Sequence, residues 1–353
     1  MIVYALLFLY FVVGATLERS RAEAQAVGPA PGRSVMLPFG GLLIVLVVGL
    51  RYDVGADWTS YVQIFRDTSL LDLGTALGRG DPGYQALNWL VQQIGADIWL
   101  VNLVCALLFA WGLFRFAERL PRPWLAMVVA VPYLVIVVAQ GYTRQAVAIG
   151  IIMAGMATYL RTGSAVRLAL YVLGAALFHK TAVVALPLLM IGNGRSRVAT
   201  GLIVLAISYE LYDVLLAPSV GGLMENYSSS ESQGALIRVA MSCIAAVLFL
   251  LRGRKLQLDR AEWVAWRNFS LASLICLALL FVIPESSTAV DRMGLYLIPL
   301  QLAVLSRPQI LGTTERLGTA VIVVYSGMVE LTWLTFATHA QYWLPYRFWP
   351  FAA

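Results

Sequence analysis

Residues 167–192 read RLALYVLGAALFHKTAVVALPLLMIG, an apolar run broken at its centre only by His179 and Lys180. Taken as one helix, the run would carry Arg195 and Arg197 to the outer face of a membrane and invert everything after it. Taken as two half-segments, 167–178 and 181–192, it brings the following loops into line with their charges. Each half has about 12 residues, roughly 18 Å at 1.5 Å per residue, short of the ~30 Å hydrocarbon core. The pair therefore reads as a broken or re-entrant hairpin. Such breaks are tolerated where they line a protein cavity rather than lipid. His179 and Lys180 are expected in a cavity that opens outward.

Working outward, apolar runs recur at 2–17, 35–50, 98–116, 124–140, 145–160, 199–217, 236–251, 265–283, 293–306 and 317–337. Hydrophobic residues make up 60% of the chain and charged residues 12%, about half the charge of an ordinary soluble domain. Only helices or closed barrels satisfy the backbone in lipid, and these runs are too long and continuous for a barrel's alternation. The fold class is an all-α polytopic membrane protein of about 12 transmembrane or re-entrant segments, residues 1–353 forming a single membrane domain with no soluble domain. Residues 2–17 lack a basic n-region, and Arg19 and Arg21 follow the run, so an uncleaved first helix with its N-terminus outside is expected.

With the break at 178–180, Arg51, Arg66, Arg79, Arg144, Lys180, Arg238, Arg292 and Arg347 lie outside, and the other 17 of 25 basic residues lie in the cytoplasm. That excess is the expected bias. The net charge of +6 forms no stripe or tail, so nucleic acid is not an expected partner. The cytoplasmic basic residues look like ordinary loop residues. Cys105, Cys243 and Cys276 read as buried small hydrophobes. With only two histidines, His179 and His339, no metal-ligand spacing exists and no cofactor is implied. The outer loop 51–97 is too short for a substantial core of its own. An interfacial amphipathic helix is expected near 59–77, then a turn at Gly78–Gly83. A second outer loop, 218–235, is rich in Ser, Gly and Asn.

Charge at a membrane boundary is costly unless paired or used, so four clusters stand as site hypotheses. Arg51-Tyr-Asp-Val-Gly-Ala-Asp57, followed by Tyr61, begins where the second helix leaves the membrane. Arg51 reads either as a snorkelling anchor or as a fork for phosphate oxygens, with Asp57 as a proton acceptor and aromatic rings against sugar faces. Arg144-Gln145 opens the fifth segment, where free N–H groups and the helix dipole attract anions. An anchoring role is its alternative. His179-Lys180 places a titratable base at a helix break. Asp291-Arg292, with Tyr296, opens the eleventh segment; adjacent residues do not face each other on a helix, which leaves Arg292 for another partner. Asp81-Pro82-Gly83-Tyr84 with Asn88 reads as a helix start capped by Asp81. Glu330, inside the last segment, either pairs with an arginine or lines a cavity.

These motifs resemble the EpsG-like family of exopolysaccharide polymerases, related in role to Wzy-type polymerases. The likeness runs through Arg51…Gly55-x-Asp57-x-x-x-Tyr61, Asp81-x-Gly83-Tyr84…Asn88, Arg144-Gln145-x-x-Ala148, Phe178-His179-x-Thr181-Ala182 and Arg292-x-x-x-Tyr296. Asp81 is a departure, since such proteins more often show a glutamate there. The resemblance implies a metal-independent glycosyltransferase of the C-type architecture in the bacterial inner membrane, its site facing the periplasm. Its substrates would be polyprenyl-diphosphate-linked oligosaccharides, and its partners membrane lipid and chain-length regulator or export proteins. On that reading Arg51, Arg144, Arg292 and Lys180, with Gln145, Tyr61, Tyr84 and Tyr296, bind the diphosphate-linked substrate, and His179 or Asp57 accepts a proton. Two rivals stand beside it: a lipid-linked oligosaccharide flippase, and a membrane acyltransferase acting on polysaccharide.

Overall fold

The computed structural model describes residues 1–18, 35–191, 234–284 and 287–352. Its regular elements are helices, and the one strand-like contact among the described residues is an isolated bridge between Arg51 and Phe348. In chain order the helices are α1 (Ile2–Leu17), α2 (Met36–Gly49), α3 (Trp58–Thr68), α4 (Leu73–Gly78), α5 (Pro82–Gln93), α6 (Ile98–Ala117) and α7 (Pro123–Gly141). There follow α8 (Thr143–Thr162), α9 (Ala165–Ala176), α10 (Lys180–Met190), α11 (Ala235–Leu256), α12 (Arg260–Val282), α13 (Ser287–Leu305) and α14 (Glu315–Phe336). Six of them (α6, α7 and α11–α14) are long and apolar enough to cross a membrane, and α1, α2, α9 and α10 are shorter apolar helices. Many of their large apolar side chains, such as Leu6, Val324 and Phe281, face outward, as lipid contact requires. This is a multi-pass membrane protein. The expected segment at 199–217, residues 218–233 of the expected loop 218–235, and Arg195 and Arg197 lie outside the described residues.

The chain forms two compact units. The first gathers Met1–Ala154, Leu177–His179 and Thr319–Ala353. Its centre is α7, apolar on every side and buried from Leu125 to Val138 apart from a trace of exposure, as a helix without a polar face must be. Within it Val131–Val138 winds as a π-helix. Pro132 lacks an N–H and its ring disrupts the ladder, which is a sufficient cause for local rewinding. Helices α6 and α8 meet through glycines: a Cβ on Gly112 would lie 1.8 Å from the Gly150 carbonyl oxygen, and one on Gly150 2.7 Å from Phe109 Cα. Small residues let membrane helices approach to backbone contact. Glu330 lies on the buried stripe of α14 with Ile322, Ser326 and Leu334, and its Oε2 has no hydrogen-bond partner; of its two readings, the arginine pair is not formed among the described residues.

The second unit holds Gly155–Ala176 and Lys180–Gly318. Helix α11 packs along α12 and against α13, with Gln301 donating to Ser242 Oγ at 3.0 Å. Helix α9 stops at Ala176 and α10 starts at Lys180, so the helix breaks where the sequence places the break. Asn268 of α12 donates to the carbonyls of Leu188 and Ile191 at 3.0 and 2.8 Å, satisfying the end of α10.

Two arginines assigned to cytoplasmic loops are not ordinary loop residues. Arg122 is buried and donates to Ala15 O at 2.7 Å and Thr319 Oγ1 at 2.5 Å, tying α1, α7 and α14 together. Arg307 is buried 2.6 Å from Glu262. Cys276 is half-buried rather than buried, while Cys105 and Cys243 are buried.

Replacing Gly112 or Gly150 by valine forces α6 and α8 apart and is expected to cost about 1–3 kcal/mol or more. The readout is thermal melting of the detergent-solubilised protein. Gly78→Ala, where an added Cβ meets nothing within 4 Å, serves as the control and leaves the melting temperature unchanged.

Candidate functional site

Arg51 leaves α2 and turns back into the first unit, where it is 1% exposed. Its guanidinium donates to Val48 O at 2.6 Å, Val54 O at 3.2 Å, Asn102 Oδ1 at 3.2 Å and Thr143 Oγ1 at 2.7 Å. Among the described residues no carboxylate pairs with it, and the Trp58 ring lies 5.9 Å away. Burial draws its pKa downward. The four-residue turn that follows depends on Gly55, whose φ is +104° and whose Cβ, if present, would lie 2.3 Å from the Gln140 carbonyl. Only glycine occupies such a site without strain. The segment after α14 closes over this turn: Gly55 N–H donates to Tyr342 O at 2.8 Å, Tyr52 N–H to Arg347 O at 3.0 Å, and Trp349 N–H to Leu50 O at 2.8 Å.

Arg144 has the opposite character. It lies in the first turn of α8, beside the Thr143 hydroxyl that holds Arg51, and a third of its side chain (33%) is exposed. The rings of Tyr61 and Tyr84 both lie 5.9 Å from its guanidinium carbon, and its Nη1 is 2.7 Å from Asp81 Oδ2. Tyr61 and Tyr84 are buried and meet edge to face at 5.6 Å. Burial pushes both phenols up, with the Arg144 charge opposing it, so they remain neutral donors. Asp57 sits half-buried at the start of α3, makes no cap bond, and adds to the upward push on Tyr61.

The remaining loop elements hold this seat. One helix was expected near 59–77; two form, because Asp72 caps a fresh start, its Oδ1 accepting from Thr75 N–H at 3.0 Å. The apolar face of α3, Tyr61 and Phe65, is buried in protein with Tyr84, Val91, Ile98, Val101, Cys105 and Val147. Asp81 corrects a second expectation. It occupies the cap position of α5, yet its carboxylate makes no cap bond and goes to Arg144. Gly83 N–H donates to Leu177 O at 2.8 Å, which seats the 177–179 break against the Asp81–Gly83 turn, and Phe178 packs on the same core. His179 is half-buried there, and Gln145 is buried one residue beyond Arg144.

The first unit thus brings together Arg51, Asp57, Tyr61, Tyr84, Arg144, Gln145 and His179. The second unit carries Lys180, Arg292 and Tyr296. There Thr181 Oγ1 donates to Tyr296 OH at 3.2 Å, joining the start of α10 to α13 one turn after half-buried Arg292. Asp291 turns away from its neighbour and takes Arg238 in a two-pronged pair at 2.9 and 2.7 Å.

A family model described as EpsG family matches residues 34–348, a span that contains every one of these motifs. The chain belongs to the EpsG family. No curated protein and no solved structure matches it. In this EpsG-family chain the Asp81–Arg144 pair, the Arg238–Asp291 pair, Asn102 and the closing segment at 342–349 escaped the sequence reading. A cap pattern concealed Asp81, and the others have no local signature.

Substituting Arg51 by alanine leaves Asn102, Thr143 and two carbonyls without their donor, at about 1–3 kcal/mol for each buried group. The expected outcome is a large fall in melting temperature and in the yield of monodisperse protein. Arg51→Lys restores only part of it, since an ammonium has three donors and no fork. Full stability of Arg51→Ala with selective loss of anion binding would make Arg51 a direct ligand instead.

Proposed function

We propose that this protein polymerises polyprenyl-diphosphate-linked oligosaccharide repeat units into exopolysaccharide at the periplasmic face of the bacterial inner membrane. The observation that carries the reading is Arg144, accessible at the N-terminus of α8 and flanked by two neutral tyrosines. A helix N-terminus with an added guanidinium favours a diphosphate on both counts, dipole and charge. Membership of the EpsG family supports a lipid-linked oligosaccharide as the substrate class. About 12 transmembrane or re-entrant segments in a C-type glycosyltransferase arrangement, with the 177–179 break opening to the periplasm, complete the proposal.

In the reaction a hydroxyl of the incoming repeat unit attacks the anomeric carbon of the growing glycan. The new glycosidic bond forms as the bond to the diphosphate breaks, so a single displacement inverts the anomeric centre. Arg144 supplies a fixed cation for the charge that develops on the leaving diphosphate, and Arg292 and Lys180, in the second unit, are cations for binding diphosphate-linked substrate. Tyr61, Tyr84 and Tyr296 add neutral donors and ring faces. The acceptor proton goes to His179 or Asp57, both of which have a base's chemistry and are partly exposed. Arg51 acts beneath them, fixing the positions of Thr143 and the α8 start. The product leaves the membrane through export proteins, with a chain-length regulator as a further partner.

Purified wild type supplied with lipid-linked repeat units from the producing cell is expected to yield a ladder of chain lengths. Arg144→Ala, Arg292→Ala and His179→Ala are expected to lower it at least tenfold while remaining folded by size exclusion. Wild type that makes no ladder but moves lipid-linked sugar between leaflets would be a flippase.

Orientation has its own test. With Cys105, Cys243 and Cys276 replaced by alanine, Lys255→Cys in intact cells is expected to resist a membrane-impermeant thiol reagent. Labelling from outside would sink the periplasmic placement of the break.

A further inference from the structure

Asp81 stands where an aspartate ordinarily caps its own helix, yet its carboxylate reaches across 63 residues of sequence to Arg144. The contact is 2.7 Å, the Asp81 side chain is 10% exposed, and a third of the Arg144 side chain is exposed. Arg144 Nε is buried and has no hydrogen-bond acceptor, so Asp81 does not satisfy the whole guanidinium. An anion arriving at the α8 N-terminus therefore meets a seat with an anion already in it.

We propose that Asp81 is a resident, displaceable ligand of Arg144: the substrate diphosphate takes its place, and the returning carboxylate expels the product diphosphate. The proposal rests on the polymerase reading above. A diphosphate and a carboxylate cannot share one guanidinium without close like-charge repulsion, which is strong where water is scarce. The exchange is ionic, with no covalent bond made or broken and no proton transferred. Tyr61 and Tyr84, both 5.9 Å from the guanidinium carbon, keep the arginine in place when its carboxylate leaves. The Asp81–Gly83 turn itself is held by the Gly83 N–H bond to Leu177 O.

Turnover gives the device its use. A polymerase must discard a lipid diphosphate after every transfer, and a bare arginine at a helix N-terminus would retain it. Asp81 is not the proton acceptor. Its exchange with the diphosphate moves a charge and not a proton. It is a positioning residue for binding and release.

The test uses full-length protein in nanodiscs with undecaprenyl diphosphate as the probe, comparing wild type, Asp81→Asn and Asp81→Glu. Asparagine caps helices as well as aspartate does, and it removes the competing charge. Asp81→Asn is expected to bind the probe roughly tenfold or more tightly, the equivalent of one charge-assisted hydrogen bond. In polymerisation it is expected to lower KM and kcat together and to deepen inhibition by added lipid diphosphate. Asp81→Glu, which keeps a carboxylate in reach, is expected to bind no more tightly than wild type. A purely structural Asp81 would give weaker binding and a lower melting temperature in the Asn variant, and that result overturns the proposal. If Asp81→Asn does not fold, tighter binding by Asp81→Glu overturns it equally. Wild type that fails to bind lipid diphosphate at all would instead overturn the polymerase reading beneath it.

Discussion

The buried guanidinium of Arg51 is the constraint on which the first unit depends. Four of its N–H donors are spent on α2, on its own turn, on α6 and on α8. A charge this deep loses its hydration, at several kcal/mol after relaxation, and here the return comes from neutral oxygens alone. Neutral acceptors can satisfy a guanidinium only when all stand in the plane of its fork. That geometric demand fixes where α8 begins, because Thr143 is one of the four, and hence where Arg144 stands. The same turn is pinned from the other side by Gly55 against Gln140 and by the backbone of the segment at 342–349. Residues separated by some three hundred positions are thereby drawn to one point.

Two neighbouring arginines of the same motif set thus do different work, and exposure separates them. Arg51 has no surface to offer a ligand, whereas Arg144, one residue beyond the hydroxyl that Arg51 holds, keeps a third of its side chain open. The neighbouring rings of Tyr61 and Tyr84, each 5.9 Å from the Arg144 guanidinium carbon, take the place of the rigid hydrogen-bond cage that Arg51 enjoys. An arginine oriented by ring faces can change its ionic partner with little rearrangement. One is scaffold for the other.

Much of this was legible in the sequence because membrane constraints are local. A helix in lipid declares itself by a continuous apolar run, so eleven of the twelve expected segments fall on described helices, six of which are long and apolar enough to cross a membrane. The break at His179 was legible in the loop charges, since one unbroken span would put Arg195 and Arg197 on the outer face. What the sequence withheld is pairing at a distance. Asp81 satisfies every local rule for a helix cap and still serves Arg144, because the gain from an ion pair exceeds that from capping in a half-dry site. The single amphipathic helix near 59–77 failed on a similar competition, Asp72 offering the backbone of Thr75 a better start. Nor does composition tell a buried Arg122 from a loop arginine when the partners are carbonyls and a threonine.

The break at 177–179 shows how one local interruption serves both packing and chemistry. A continuous helix there would bury its backbone groups within itself and present only side chains. Broken, it exposes a carbonyl at Leu177, which Gly83 uses to seat the Asp81 turn, and it leaves room for no Cβ at that contact. Beyond the break the chain restarts as a 3-10 turn whose Thr181 hydroxyl reaches Tyr296. The consecutive residues His179 and Lys180 therefore carry the ends of two separately packed arrangements, one built on Arg144 and the other on the Arg292 turn. A helix too short to span lipid is unfavourable on its own terms. It persists because each loose end is used as a hydrogen-bonding group by an element that holds a cation.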